Sequence, residues 1–529
     1  MIKTRTEIVN SSPRIIYEGE TVEASYCDPM VAAYRGNPLI EALPPILSPE
    51  EAALHMAFYP PYDRGQRNAP PYQRYHEIQN ALQLFSVLPT HIDLEQRISR
   101  AIRGGYLKRN PLTPEHRRHL NRSAEFLKTA SHHRVRIGTM NTGFSIVGIS
   151  GIGKSRAIHE ILSLYPQVAI HNHYRDQDFT CVQIVWIKLD CPPNGSTRGL
   201  CLSFFQTIDS ILGTKYYKNY EGRSGHQLSL HMMRAAGELG VGLLVIDEIQ
   251  NLSEAASGGR NEMLNFFVSL NNGLGVPVIL VGTYAAYEIL TGEFRQIRRG
   301  AGQGDLIWDP MTEKDSEGKK SDWERFINDL WLYQYTKQRF KLTGGLSHAL
   351  HFESQGITDI AAKMYMIAQI YAISSGKETV TEKTLQFVAK EYFRSAAKVL
   401  SALKIHDMAA LFKIKDVKPI DIGEFIEEVV YASSTLAASE EVNPNQSESK
   451  QTMDSKTTPQ QEQSTVSEDL NKAKRRLRDG KGTTKKKAKA PVKNNELLLA
   501  ATRAKDQGVD AYDVLSEKGF IRSAKEHLE

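Results

Sequence analysis

Cysteine is scarce here: four in 529 residues (Cys27, Cys181, Cys191 and Cys201), with no C-x-x-C spacing among them. A disulfide framework and a cysteine zinc site are both excluded, and the usage points to a reducing compartment. Long apolar runs are also missing. No eighteen consecutive apolar residues occur, so no membrane span is expected. The opening MIKTRTEIVNSSPRIIYEGE lacks the apolar centre of a secretion signal. A soluble, cytoplasmic protein without a membrane partner is the expectation.

Excess charge of one sign is small overall, at net +5, but it is concentrated. Lys472 to Lys493, KAKRRLRDGKGTTKKKAKAPVK, holds eleven Lys/Arg against Asp479 alone, so the rest of the chain is about −5 by subtraction. The basic character belongs to one short segment, which is either a non-specific anchor for nucleic acid or a solvated lysine-rich linker.

What the chain does contain begins with VGISGIGKSRAIHEIL, Val147 to Leu162. Gly148, Gly151 and Gly153 allow a tight loop whose N–H groups approach an anion, with Ile152 inside it. Lys154 adds a point charge, and Ser155 a hydroxyl suited to Mg²⁺; Arg156 follows. This is G-x-x-x-x-G-K-[ST], a phosphate-cradling loop. GFSIVG before it reads as a buried strand. Ile158, Ile161, Leu162 and Tyr165 after it recur at helical spacing, so the loop opens a helix N-terminus that favours phosphate.

Short apolar runs (FSIVG, CVQIVWIKLD, GLLVID, VPVILVG) alternate with amphipathic stretches such as Met263, Leu264, Phe267 and Leu270, which predicts a buried parallel sheet in an α/β domain. The expected divisions follow composition. Residues 1–130 form an arm and a few helices packed on the core. Residues 131–320 form the nucleotide-binding domain and residues 321–432 a helical bundle. Residues 433–495 are a disordered acidic, then basic, linker, and residues 496–529 a helical element for docking a partner. In the bundle, Trp323, Phe326, Ile327 and Leu330 share one helix face, and Ile357, Ile360, Ala361, Met364 and Ala368 another.

A second half of the site is read from GLLVIDEIQNL, Gly242 to Leu252. Asp247 at the strand tip suits Mg²⁺ held through its water shell, and Glu248 is placed to polarise an attacking water. ATP is the expected ligand, since no guanine-reading N-K-x-D pattern is found. Thr283 ends another core strand, where a hydroxyl can sense the γ-phosphate. Arg295, Arg298 and Arg299 follow a helix, and one of them could reach a neighbouring subunit's nucleotide. The tripeptide His171-Asn172-His173 lacks the ββα frame of a metal nuclease and is read as coincidence. No D-D-E centre for cutting DNA is found.

Longer stretches resemble one family. VEASYCDPMVAAYRGNPLIEALPP, ISRAIRGGYLKRNPLT, GLLVIDEIQNLS, RRGAGQGDLIWDP and SQGITDIAAKMYMIAQ together look like TnsC, the AAA+ ATPase regulator of heteromeric bacterial DNA transposition, over about residues 23–397. The resemblance implies a P-loop AAA+ domain followed by a helical lid, with ATP and Mg²⁺ as cofactors. It implies a ring or filament of copies on double-stranded DNA, associated with the bacterial nucleoid. It also implies partners: a target selector of the TnsD or TniQ kind, and the TnsA and TnsB transposase subunits. Gly148, Gly153, Lys154 and Ser155 match the family's nucleotide loop, with Asp247 and Glu248 its acids. The lid helix departs from the wider AAA+ pattern, offering Asp359 and Lys363 where an arginine is usual. Lys188, Thr197 and Arg198, around DCPPNGSTRGL, are the candidates for contact with DNA phosphates.

Overall fold

The computed structural model describes residues 20–116, 118, 143–255, 259–270, 274–292, 304–314 and 321–414. Among them are eight strands: β1 Thr21–Glu23, β2 Phe144–Gly148, β3 Val168–Tyr174, β4 Gln177–Ile184, β5 Trp186–Asp190, β6 Leu243–Asp247, β7 Val278–Gly282 and β8 Leu306–Trp308. Five of these make one wholly parallel sheet in the order β5-β6-β7-β2-β8. Every residue of β2, β6 and β7 is buried, which is why these strands read as unbroken apolar runs.

The two faces of the sheet bury different partners. On β6 and β7, Leu244, Ile246, Val278 and Leu280 enter one core, whereas Leu243, Val245, Ile279 and Val281 enter the other. The α-helices of eight or more residues among the described ones are, in chain order, α1 Pro49–Met56, α2 Pro71–Ile78, α3 Pro89–Tyr106, α4 Lys154–Leu162, α5 Thr197–Leu212, α6 Gly225–Glu238, α7 Gly259–Ser269, α8 Asp322–Leu330, α9 Gly344–Ser354, α10 Thr358–Ser374, α11 Glu382–Tyr392 and α12 Ala397–Lys404. The first core takes α5, α6, α7 and the helical residues after 321; the second takes α1, α3 and α4. The N-terminal residues thus cover a face of the sheet. Leu94, Ile98, Ala101 and Ile102 of α3 are fully buried there, at the i, i+4, i+7, i+8 spacing of a core-facing stripe.

Two strands depart from the sequence expectation. CVQIVWIKLD was expected as one strand, but its first half ends β4, which pairs antiparallel with β3 in a separate three-stranded sheet of order β1-β3-β4. Its second half is β5. Val185, between them, gives its amide to the Gln167 carbonyl (2.8 Å), so the chain passes from one sheet to the other at a single residue. The short β8 went unread inside RRGAGQGDLIWDP. It lies so close to the end of β2 that a Cβ on Gly148 would meet the Trp308 carbonyl oxygen at 2.5 Å. Gly148 is therefore required by this close approach, beyond any demand of the loop.

The end of α8 and the residues between α8 and α9 are tied to the N-terminal segment. Tyr59 donates to Asp329 (2.7 Å), Tyr333 to the Pro60 carbonyl (3.0 Å), and Arg67 to the Thr336 carbonyl (2.8 Å). Among the described residues, no helix is long and apolar enough to cross a membrane.

Candidate nucleotide-binding site

Parallel strands deliver their C-terminal ends to one edge of a sheet, and there β2, β7, β6 and β5 lie side by side. The loop leaving β2 turns through Gly151 (φ +81°) and Gly153 (φ +104°), left-handed conformations that disfavour a side chain. Gly153 caps α4, so the first amides of that helix face the loop. The Lys154 side chain curls back, and its Nζ donates to the carbonyls of Gly148 and Ile149, both at 2.9 Å.

Ser155 Oγ donates to Asp247 Oδ2 at 2.7 Å. Asp247 Oδ1 accepts the Glu248 amide at 2.9 Å. Glu248 itself adopts a left-handed backbone (φ +58°), an uncommon state for a residue with a side chain. The buried Gln250 joins two strand tips: its Nε2 donates to Glu248 Oε2, and its Oε1 accepts the Thr283 amide at 3.1 Å. One side chain thus connects the acid after β6 to the hydroxyl-bearing residue after β7.

A cleft of about 350 Å³ opens over these groups. Loop residues 150–156 with Asp247, Glu248, Gln250 and Thr283 form its polar end. Leu84, Phe85, Leu88 and His91 before and within α3, with Phe326 and Leu330 of α8, form an apolar end. His91 is stacked on Phe85 (4.8 Å between centroids), and its Nδ1 accepts the Leu88 amide at 3.0 Å. Burial pushes its pKa down to about 4, so the ring is neutral, with the remaining proton on Nε2. The start of α10 closes on the loop: Asp359 N and Thr358 Oγ1 donate to the Gly151 carbonyl at 3.1 and 3.2 Å. Lys363 is held by Asp359 at 2.8 Å.

Of the residues singled out from sequence, Gly151, Ile152, Gly153, Lys154, Ser155, Arg156, Asp247, Glu248 and Thr283 line one cleft, and Gly148 stands at its base. Ile152 turns its side chain into the core beneath the loop. Arg156 is paired with Glu160 (2.7 Å) and donates to the Gln83 carbonyl (3.2 Å). Lys188 lies at this site too, with Nζ 3.2 Å from Asp247 Oδ2. Thr197 is buried at the start of α5, its Oγ1 without a hydrogen-bond partner. Arg198 is exposed and gives one guanidinium nitrogen to the Glu221 carbonyl (2.6 Å). Arg295, Arg298 and Arg299 lie outside the described residues, as do the linker and the basic segment. His171 is fully buried between Tyr26 (2.7 Å) and Gln183 (2.9 Å), a core histidine.

Sequence reasoning missed the apolar end and Gln250. Pro89 at the first turn of α3, a favoured helix start, was a usable signal for the first. Nothing local marks Gln250.

Residues 141–290 match the family model described as an AAA domain, so the chain carries an AAA domain on a P-loop α/β fold. No curated protein matches the chain. Similar solved structures include Cdc6p from Pyrobaculum aerophilum (13% identity, 53% of this chain and 67% of that one, TM-score 0.32). A Walker-type ATPase of Pyrococcus abyssi gives 15%, 57%, 77% and 0.31 in the same order. The Thermotoga maritima RuvB Holliday junction branch migration motor gives 11%, 55%, 76% and 0.28.

Proposed function

We propose that this chain is an ATP-hydrolysing switch that assembles with copies of itself on double-stranded DNA and regulates DNA transposition. The observation that carries the enzymatic part is the Ser155–Asp247–Glu248–Gln250–Thr283 chain of contacts at the mouth of a phosphate loop. A protein that only bound nucleotide would need no water-polarising acid beside the metal-type carboxylate.

In this reading the amides of residues 151–155 and the N-terminus of α4 take the phosphates, and Lys154 Nζ moves from its two carbonyls to phosphate oxygens. The apolar end, between Phe85 and Phe326, takes the base. Among the described residues no group of three or more His, Cys, Asp or Glu forms a metal cage. The hydroxyl of Ser155 and the carboxylate of Asp247 nonetheless fit Mg²⁺, which takes few protein oxygens and completes its shell with water and phosphate. When bound, Mg²⁺ neutralises charge on the phosphates. Glu248 accepts a proton from the attacking water, Gln250 holds the Glu248 carboxylate in place, and Thr283 orients the γ-phosphate. One of Arg295, Arg298 or Arg299 from a neighbouring copy meets the developing charge.

The transposition role is supported by the TnsC-like stretches at residues 22–45, 98–113 and 298–310, which lie outside the generic loop and acid motifs. It makes the assembled state the output, read by TnsA and TnsB transposase subunits and seeded by a TnsD- or TniQ-like selector. Arg198 and the basic segment Lys472 to Lys493 are the phosphate contacts of this reading.

The test is to image the full chain on duplex DNA with a non-hydrolysable ATP analogue, beside Lys154→Ala and Glu248→Gln. Rings or filaments should form with the analogue, vanish in Lys154→Ala, and persist with ATP in Glu248→Gln. A protein that stays monomeric and off DNA in every condition sinks the proposal.

A further inference from the structure

Lys188 stands on β5, paired in register with Val245 of β6, and its side chain is 27% exposed. Its ammonium lies 3.2 Å from Asp247 Oδ2 and 3.6 Å from Asp190 Oδ1. Asp247 Oδ2 also accepts the Ser155 hydroxyl at 2.7 Å, while Oδ1 takes the Glu248 amide at 2.9 Å. Two donors therefore occupy the oxygen that faces Ser155, and that oxygen has two lone pairs to offer. One of those donors is a full positive charge.

A divalent cation drawn to Ser155 and Asp247, directly or through its water shell, meets that charge first. Asp190, 73% exposed at the neighbouring strand tip and in register with Asp247, is the other acid within reach of the same side chain. It offers the ammonium an alternative seat. The second lysine of the site, Lys154, is held on the two loop carbonyls of Gly148 and Ile149.

We propose that Lys188 is a built-in competitor of Mg²⁺ at Asp247, a positioning residue that sets the metal concentration at which the site loads. The ammonium balances Asp247 until the triphosphate and its metal arrive together, then swings to Asp190. The inference rests on the nucleotide reading above and adds to it a metal threshold carried by this chain's own lysine.

The experiment titrates MgCl₂ into the full chain with a fluorescent ATP analogue, comparing wild type with Lys188→Met, Lys188→Gln and Lys188→Arg. Removing a unit charge about 3 Å from a carboxylate should lower the half-saturating Mg²⁺ by at least about fivefold in Lys188→Met and Lys188→Gln. Lys188→Arg, which keeps the charge, should stay within about twofold of wild type. A second readout omits nucleotide: in EDTA the two neutral variants should melt below wild type, and Mg²⁺ alone should raise their melting temperature more than it raises wild type's. An unchanged or higher Mg²⁺ requirement in both neutral variants overturns the proposal, the higher value assigning Lys188 to the phosphates instead. If wild type binds no analogue at any Mg²⁺ concentration, the nucleotide reading fails. The melting titration with Mg²⁺ alone then still decides the role of Lys188. If Lys188→Met does not fold, Lys188→Gln carries both readouts.

Discussion

Arg74 of α2 is fully buried, and its guanidinium reaches the Glu378 carboxylate through two parallel bonds, at 2.9 and 2.8 Å. It donates also to the Tyr335 carbonyl at 3.0 Å, and the Lys337 amide gives Glu378 a further bond at 2.9 Å. This pair joins the N-terminal segment to the turn between α10 and α11. The same segment continues into the apolar wall of the cleft. Replacing Arg74 by Met leaves the largely buried Glu378 carboxylate with the Lys337 amide but no counter-ion, which costs about 3–5 kcal/mol. In a folded unit of this size that lowers the melting temperature by on the order of 5 °C or more. Adding Glu378→Gln to Arg74→Met removes the stranded charge without asking a bulkier side chain to adopt the φ of +51° at this position. The double variant should therefore lose less stability than Arg74→Met alone.

The pH dependence has a definite sign. Burial alone would raise the Glu378 pKa, but the bonds from Arg74 and the Lys337 amide outweigh it and hold the carboxyl below its usual value. A carboxyl with a lowered folded pKa stabilises the fold above the unfolded value and loses that contribution as pH falls through the folded one. The gap between wild type and Glu378→Gln should therefore be full at neutral pH and narrow as pH falls below the ordinary glutamate value of about 4.3. Denaturant titration followed by circular dichroism at pH 7 and pH 3.5, on all three variants and wild type, measures this. A loss under about 1 kcal/mol for Arg74→Met, or a double variant that simply sums the singles, would refute the reasoning.

Gln250→Ala should lower ATP turnover by about tenfold or more while leaving KM within about twofold, because the Glu248 carboxylate loses the amide that aims it; steady-state kinetics decide, and a shift confined to KM would contradict that role. Thr197→Val removes a buried hydroxyl that makes no hydrogen bond and keeps the shape, so it should be neutral or stabilise by up to about 1 kcal/mol in thermal melts. A clear destabilisation would show that the hydroxyl has a partner. His91, its pKa pushed down to about 4 by burial, is neutral when folded and protonated when unfolded below its ordinary value, so stability should fall between about pH 6.5 and pH 4. At pH 5 this one residue accounts for about 2 kcal/mol, and His91→Gln should flatten the slope by that amount in denaturant titrations at pH 7 and pH 5.

The phosphate loop, the acids after β6, Thr283 after β7 and the helix faces in α7, α8 and α10 were all legible along the chain. Each depends on neighbours a few positions away: a glycine that must turn, an apolar run that must be covered on both faces, a stripe at helical spacing. Tertiary structure decided the rest. Only pairing with β3 in one sheet and β6 in another splits CVQIVWIKLD at Val185. Only the approach of β8 makes Gly148 obligatory from outside the loop. The N-terminal residues wall the cleft because α3 finds an uncovered face of the sheet, and Gln250 and Lys188 join the site because strand order lays the tips of β5, β6 and β7 side by side. Local patterns are set by backbone geometry within a turn or a strand. Which tips become neighbours is set by pairing between residues far apart in sequence, and a single chain read end to end carries no direct record of it.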